Sequence, residues 1–583
     1  MSRGLVALLA VLPLAGCTAS TAVSRQRSRP ALSLAAFDSC AQLEKELRSA
    51  AARNAGPGGL TGAETRGLPG EARALASEAQ APAFSGTNVH EAGVDEPDLV
   101  KTDGRRIVTV AGSVLRVVDP AARQVTGSLD LRPEAGGPAN LLLSGDRALV
   151  LMSAVGPQLL DRRIRPMGAA SEILLIDLSG TPRLISRYRG DGMVVDARQN
   201  GSVARVVLRS TPQIDFPYAA EGVRAGEKAI ASAPVDAWLP GWEVTTGTAR
   251  TAGRLDCGSV LRPTGSPFSG TGMMRVLTFD LTAPALGDGA PVAVVSDGDV
   301  VYGTPASLYV ANNPGAFFVR SAGSTDIFKF DLPAAGKPVL AATGKVPGTL
   351  INQYALSEWD GRLRVATTDP RTQTSSVRIL DGKLAQVSQV GGLGKNERIY
   401  AVRFVGPAAY VVTFRQVDPL YVLDLADPAH PRATGELKIS GYSAHLQPVG
   451  ENRLIGIGQE ASDQGRVTGT QVSLFDTTDP ARPRRLAQQV VPGASSEAEY
   501  NAHAVLWWPA TGLLVLPVAP VGALALHVTA DGLREAGRIA PPAQTYASVR
   551  RALVVGDALW TVTDTGLLAS NLSTLDQIAW IPL

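Results

Sequence analysis

Residues 87–112 read TNVHEAGVDEPDLVKTDGRRIVTVAG, and five carboxylates crowd together there: Glu91, Asp95, Glu96, Asp98 and Asp103. Asp103 is set apart by Gly104, since Asp-Gly is a tight-turn pair. The others admit three uses. Asp95, Glu96 and Asp98 can hold a hard cation such as Ca²⁺ through oxygen ligands, although the Asp-x-Asp-x-Asp-Gly spacing of a calcium loop is absent. One of them can act as the acid or base of a reaction. Alternatively, they pair with Lys101, Arg105 and backbone N–H groups and seal a structural joint. The joint is the default expectation, because the spacing itself favours no ligand.

Other reactive patterns are missing. No Gly-x-Ser-x-Gly elbow occurs. The histidines at 90, 430, 445, 503 and 527 are scattered, without the paired spacing of a zinc site. GGLGKNE (391–397) is rich in glycine but lacks the strand-to-helix setting of a phosphate loop. Trp359-Asp360 sits at a turn and not at a strand end, so it does not mark a WD40 repeat. With 55 basic against 53 acidic residues the net charge is +2, which gives no case for nucleic-acid binding. No cofactor is expected, Ca²⁺ being the one candidate.

The elements that must position these residues follow from a repeat. A turn pair precedes an alternating strand nine times: Asp103-Gly104, Gly145-Asp146, Asn200-Gly201, Pro305-Ala306, Asp360-Gly361, Gly406-Pro407, Gly450-Glu451, Thr511-Gly512 and Gly556-Asp557. In step with it, a strand ends in Asp before a loop, at Asp119, Asp177, Asp280, Asp331, Asp381, Asp424 and Asp476, with His527 and Asn571 in the same phase. The step is roughly 50 residues, the signature of a β-propeller. A single four-stranded sheet cannot bury both faces, whereas a ring of such sheets buries each face against a neighbour. The expected fold is all-β: one large β-propeller of eight or nine four-stranded blades over residues 87–583. One step is doubled, which places an insertion at about 212–270, containing Trp238, Trp242 and Cys257.

The N-terminal region reads differently. MSRGLVALLAVLPLAGC has a basic start and an apolar run too short to span a bilayer, so residues 1–17 form a cleaved export signal. Leu14-Ala15-Gly16-Cys17 resembles the bacterial lipobox, which makes Cys17 the expected lipid attachment site. Residues 18–36 are then a tether. Residues 37–56 are a short helix, with Asp38 or Ser39 as its cap, Gly56 as its stop, and Leu43, Leu47 and Ala50 or Ala51 on one face. Residues 57–86 are a linker. Of the three cysteines, lipidation leaves Cys40 and Cys257, and outside the cytoplasm these are expected to pair.

Five segments carry a likeness: the opening motif TNVHEAGVDEPDLVKTDG, NQYALSEWDGRLRVATT (352–368), FRQVDPLYVLDLADP (414–428), GENRLIGIGQE (450–460) and FDTTDPARPRR (475–485). Together they resemble a family of secreted bacterial β-propellers, distantly WD40-like, for which no reaction is settled. The resemblance implies the fold and an extracytoplasmic location. The chain departs from the family pattern at GYSAHLQP (441–448), through Ala444, His445 and Gln447, and at Tyr500-Asn501-Ala502-His503-Ala504. The expectation is a lipid-anchored extracytoplasmic binding or scaffolding module for a protein or glycan partner. The alternative is an extracytoplasmic hydrolase or lyase using carboxylates near the propeller channel.

Overall fold

Each turn pair joins two antiparallel strands of one sheet, and all but Pro305-Ala306 contain a residue with positive φ: at Asp360 and Gly361 φ is 50° and 70°, the left-handed pair that matches strand twist. The computed structural model describes residues 33–53, 55–56, 59–60, 83–132, 137–154, 158–160, 163–165, 170–217, 223–264, 271–312, 323–334, 336–414, 418–462, 466–542 and 548–583. Cys17, the export segment and most of the tether lie outside these residues.

Nine blades form a propeller, each with four antiparallel strands taken mostly in chain order. They span residues 100–130, 139–191, 193–295, 300–347, 356–393, 398–439, 442–492, 506–539 and 549–582. The bracket of eight or nine therefore resolves to nine. Among the described residues no blade strand is exchanged at the seam; an isolated bridge, Phe84 to Val555, is the backbone pairing there. The first blade runs from Val100–Thr102 outward and the last ends in Gln577–Pro582. Packing contributes to the joint: Val100, Ile107 and Val118 meet Val555, Trp560 and Leu567 in one buried cluster. Strand alternation makes such interfaces. In Val203–Ser210, Ala204, Val206 and Leu208 face the second blade, while Val207 faces the fourth.

The recurrent Asp is a turn device. The Oδ1 atoms of Asp119, Asp177, Asp280, Asp424 and Asp476 each accept the N–H two residues on, at 2.8–3.0 Å, which fixes the loop before the outer strand. A second recurrence was not visible as a pattern. Arg106, Arg205, Arg364 and Arg453 donate to loop carbonyls of the next blade: Leu178, Pro333, Gly406 and Thr529.

The insertion between Val203–Ser210 and Met273–Asp280 is a covering layer. Its hairpin, Gly241–Thr246 with Ala249–Arg254, extends the outer edge of the second blade. Val260–Thr264 lies parallel to Val292–Val295 at the edge of the third. Ser33–Ala36, read above as tether, pairs with Val260–Thr264 in register Ser33↔Thr264 and becomes the outermost strand. A tether reading overlooks this because the edge it completes is built from a segment more than two hundred residues away. Helix α1 (Cys40–Arg53) is shorter than the expected 37–56; Ser39 Oγ accepts the Gln42 N–H at 3.2 Å as its cap. Leu43, Leu47 and Ala51 pack against Trp238, Leu239 and Ile230, the last from helix α2 (Val223–Ser232). A Cys40–Cys257 disulfide bonds this helix to the insertion. Ala249–Arg254, exposed along its length, and Ser33–Ala36 become the outermost strands of the second and third sheets.

Candidate functional site

The carboxylate-rich segment forms neither a loop nor an ordinary first strand. It crosses the middle of the ring. Ser85 N–H donates to Val554 O at 2.8 Å on the ninth blade, and Gly556 N–H donates to Ala83 O. These residues belong with the ring and not with a linker ending at 86. Asn88 Nδ2 reaches Gln447 Oε1 on the seventh blade and Ala502 O, both at 3.1 Å. His90 Nε2 stands 3.1 Å from Leu356 O of the fifth. Tyr302 of the fourth donates its hydroxyl to Glu91 Oε1 at 2.7 Å. Asp95 exchanges backbone hydrogen bonds with Gln199 of the third, and Asp98 with Leu141 of the second. The chain then enters the first blade. A ring of nine blades leaves a broad axial space, and this segment fills it.

Its carboxylates are matched one by one. Asp95 Oδ1 accepts Lys101 Nζ at 2.7 Å, and the buried ammonium also donates to Thr87 Oγ1 at 2.6 Å and to Glu96 O. Glu96 is 1% exposed. Its Oε1 accepts the His90 N–H at 3.1 Å, its Oε2 accepts Gln353 Nε2 at 3.2 Å, and Arg198 Nη2 lies 3.8 Å away. Asp98 is held by Arg551 Nε at 2.9 and 3.1 Å, with His503 Nδ1 at 3.3 Å. Burial alone would raise the Asp98 carboxyl, but Arg551 and His503 outweigh it and hold it below the usual range.

Around these pairs stands a shell of buried aromatic and cationic groups. The His90 ring meets Tyr354 edge-on at 4.6 Å and Tyr302 at 5.0 Å. Arg403 lies over the Tyr354 ring at 5.0 Å, and Tyr354 also meets His445. Burial and the neighbouring Arg403 push His90 and His445 each down to about 3, so both rings are neutral near pH 7. Burial raises Glu91 despite its Tyr302 hydrogen bond.

The three carboxylates read from sequence thus share one region, with Lys101 and backbone N–H groups among their partners as expected, but without Arg105. Arg105 turns outward to Asp103 at 3.2 Å, because it sits on the first turn at the surface. Its place is taken by Arg198 and Arg551, from the third and ninth blades. Arg198, Arg403 and Arg551 carry no sequence signal, since each is one polar residue in an ordinary strand, whereas Gln353 and Tyr354 lie in the segment 352–368 that carries the family likeness. His445, Gln447, Ala502 and His503 did carry one: the two segments where the chain departs from its family pattern both end at this region. Chemically the arrangement joins blades through charge-assisted bonds. Among the described residues, no group of three or more His, Cys, Asp or Glu side chains is placed to hold a metal ion. No described helix is long and apolar enough to cross a membrane.

Comparison with known proteins gives the family of the chain. An uncharacterized protein of Archaeoglobus fulgidus is 27% identical over 556 residues, covering 85% of this chain and 83% of its own. An uncharacterized protein of Methanocaldococcus jannaschii is 43% identical over 180 residues, which is 30% of this chain and 28% of its own. Among solved structures, apo AztD from Citrobacter koseri aligns over 84% of this chain and 94% of its own, at 10% identity and a TM-score of 0.35. The family model described as "Beta propeller domain" matches residues 84–575, beginning at the segment that crosses the ring and ending in the last blade, and the chain belongs to that family.

Proposed function

We propose that this chain is an extracytoplasmic, lipid-anchored β-propeller that binds or scaffolds a protein or glycan partner and catalyses no reaction at its centre. The supporting observation is the internal matching of Glu96 and Asp98, 1% and 3% exposed, to Gln353, Arg198, Arg551 and His503. A catalytic carboxylate needs access to substrate and a free lone pair. Here both are taken up by the joint, which leaves the blade loops as the recognition surface. The Cys40–Cys257 bond favours an oxidising compartment, in keeping with the export signal and lipobox read at residues 1–17.

Full-length protein in detergent, screened against immobilised glycans and envelope peptides, is expected to show saturable binding to one class. That binding should persist in Glu96→Gln. Turnover of a substrate that disappears in Glu96→Gln while the fold is retained would replace the binding reading with the enzymatic one. Cell fractionation tests the anchor: Cys17→Ser is expected to move the protein out of the membrane fraction. An unlipidated, soluble wild-type protein would defeat it.

A further inference from the structure

The N-terminal segment reaches the ring by two covalent routes. Along the chain it passes from α1 through residues 54–82 to Ala83, whose carbonyl accepts the Gly556 N–H of the ninth blade at 2.8 Å. Across the Cys40–Cys257 bond it joins the insertion of the third blade directly, at the first residue of α1. Non-covalent contacts tie it to the same insertion. Ser33–Ala36 pairs with Val260–Thr264, and Arg48 Nη2 donates to Ala233 O at 2.6 Å. Glu46 meets Arg262 at 3.5 Å, and Leu43, Leu47 and Ala51 pack with Trp238 and Leu239. A cut anywhere between Arg53 and Ala83 breaks the first route and spares the second, because Cys40 then belongs to one fragment and Cys257 to the other.

We infer that the disulfide makes detachment of the propeller from its anchor redox-dependent: after such a cut, the ring leaves only once a dithiol has reduced the Cys40–Cys257 bond. As a release device this rests on the lipid-anchor reading of Cys17. In the exchange, one thiolate of the dithiol attacks a sulfur of the bond and forms a mixed disulfide. The second thiol then displaces the protein and closes the reductant's own disulfide, so two electrons and two protons pass to the protein, which ends with two thiols. Cys40 is an exposed residue whereas Cys257 is 5% exposed, so the bond is approached from the Cys40 side. Without the bond, a cut segment is a separate chain held by a helix of 14 residues and a strand of four. A helix of that length is marginal alone in water, and separate chains lose rigid-body freedom on associating. Packing that suffices within one chain therefore does not retain a detached one.

A recognition sequence for a site-specific protease, inserted between Gly70 and Glu71 of the full-length protein, tests this in membranes prepared without reductant. After cleavage the ring is expected to stay in the membrane fraction and, in detergent, to co-elute with its N-terminal fragment from a sizing column. Dithiothreitol should then shift the ring to the soluble fraction and separate the two fragments. Cys40→Ser should give the same release on cleavage without reductant, and should stay anchored when uncut. The reductant arm keeps both cysteines, so it decides the matter even where that variant does not fold. Release of the ring by cleavage alone, or fragments that stay together after reduction, would overturn the inference. An uncut protein found soluble would instead count against the lipid anchor, and the column would still decide the role of the disulfide.

Discussion

Arg551 Nε lies 2.9 and 3.1 Å from the two carboxylate oxygens of Asp98, joining residues 453 positions apart across the seam between the first and last blades. Both side chains are buried, and Arg551 Nη1 also donates to Glu497 Oε1 at 2.9 Å. Among the described residues no blade strand is shared at the seam, and this pair, the apolar cluster and the backbone bonds of Ala83 and Ser85 to the ninth blade hold the ring closed.

Breaking that pair from one side leaves a buried charge uncompensated. Asp98→Asn and Arg551→Met should each lower stability by about 3–5 kcal/mol, whereas replacing both with apolar residues should recover much of the loss. Denaturant unfolding of the two single variants and the double variant measures this. Unchanged midpoints in both singles would show that the ring closes without this pair.

Stability should fall with acid, and the sign follows from the histidines. His90 and His445 are held down to about 3 in the fold, whereas an unfolded histidine titrates near 6.5. Their contribution is complete above about pH 6.5 and is lost as pH falls toward 3, at up to about 1.4 kcal/mol per pH unit for each ring. Asp98, depressed in the fold, adds a loss in the same direction below about pH 4. Melting curves across this range should steepen below neutrality, and His445→Gln should flatten the slope. A flat profile would mean that the rings are not enclosed as described.

The matched carboxylates predict indifference to divalent ions. Ca²⁺ and chelator should leave the melting temperature unchanged, and Asp95→Asn, Glu96→Gln and Asp98→Asn together should destabilise equally with and without the ion. A bound ion would instead add about 2.7 kcal/mol at a free concentration a hundred times its dissociation constant. A chelator effect that vanishes in the triple variant would identify the segment as a cation site.

The Cys40–Cys257 bond closes a separation of 217 residues. By loop entropy it contributes up to about 5 kcal/mol. In Cys40→Ser with Cys257→Ser, limited proteolysis should cut α1 and the insertion before it reaches the blades. Cleavage rates equal to those of the oxidised wild type would assign the layer's stability to the Leu43, Leu47 and Trp238 packing alone.

Local signals determined most of the fold. A tight turn needs positive φ at Asp360-Gly361, a strand alternates with period two, and an Asp such as Asp177 folds its own loop back. Each of these requirements is met within a few residues, so each is written in the sequence, and their repetition spells out a ring of sheets. The insertion was visible as an interruption of that repetition, and the acidic segment as a cluster of charge. Tertiary structure alone decided what the cluster does. Asp98 meets Arg551, Glu96 meets Arg198 and Gln353, and His90 meets Tyr302 and Tyr354 only after nine blades have closed. The same holds for Ser33–Ala36, whose strand partner lies in the insertion. A buried ion pair places no demand on the residues adjacent to either partner in the chain. Its energy depends on the distance between side chains brought together by the whole ring, and no short stretch of sequence encodes that distance.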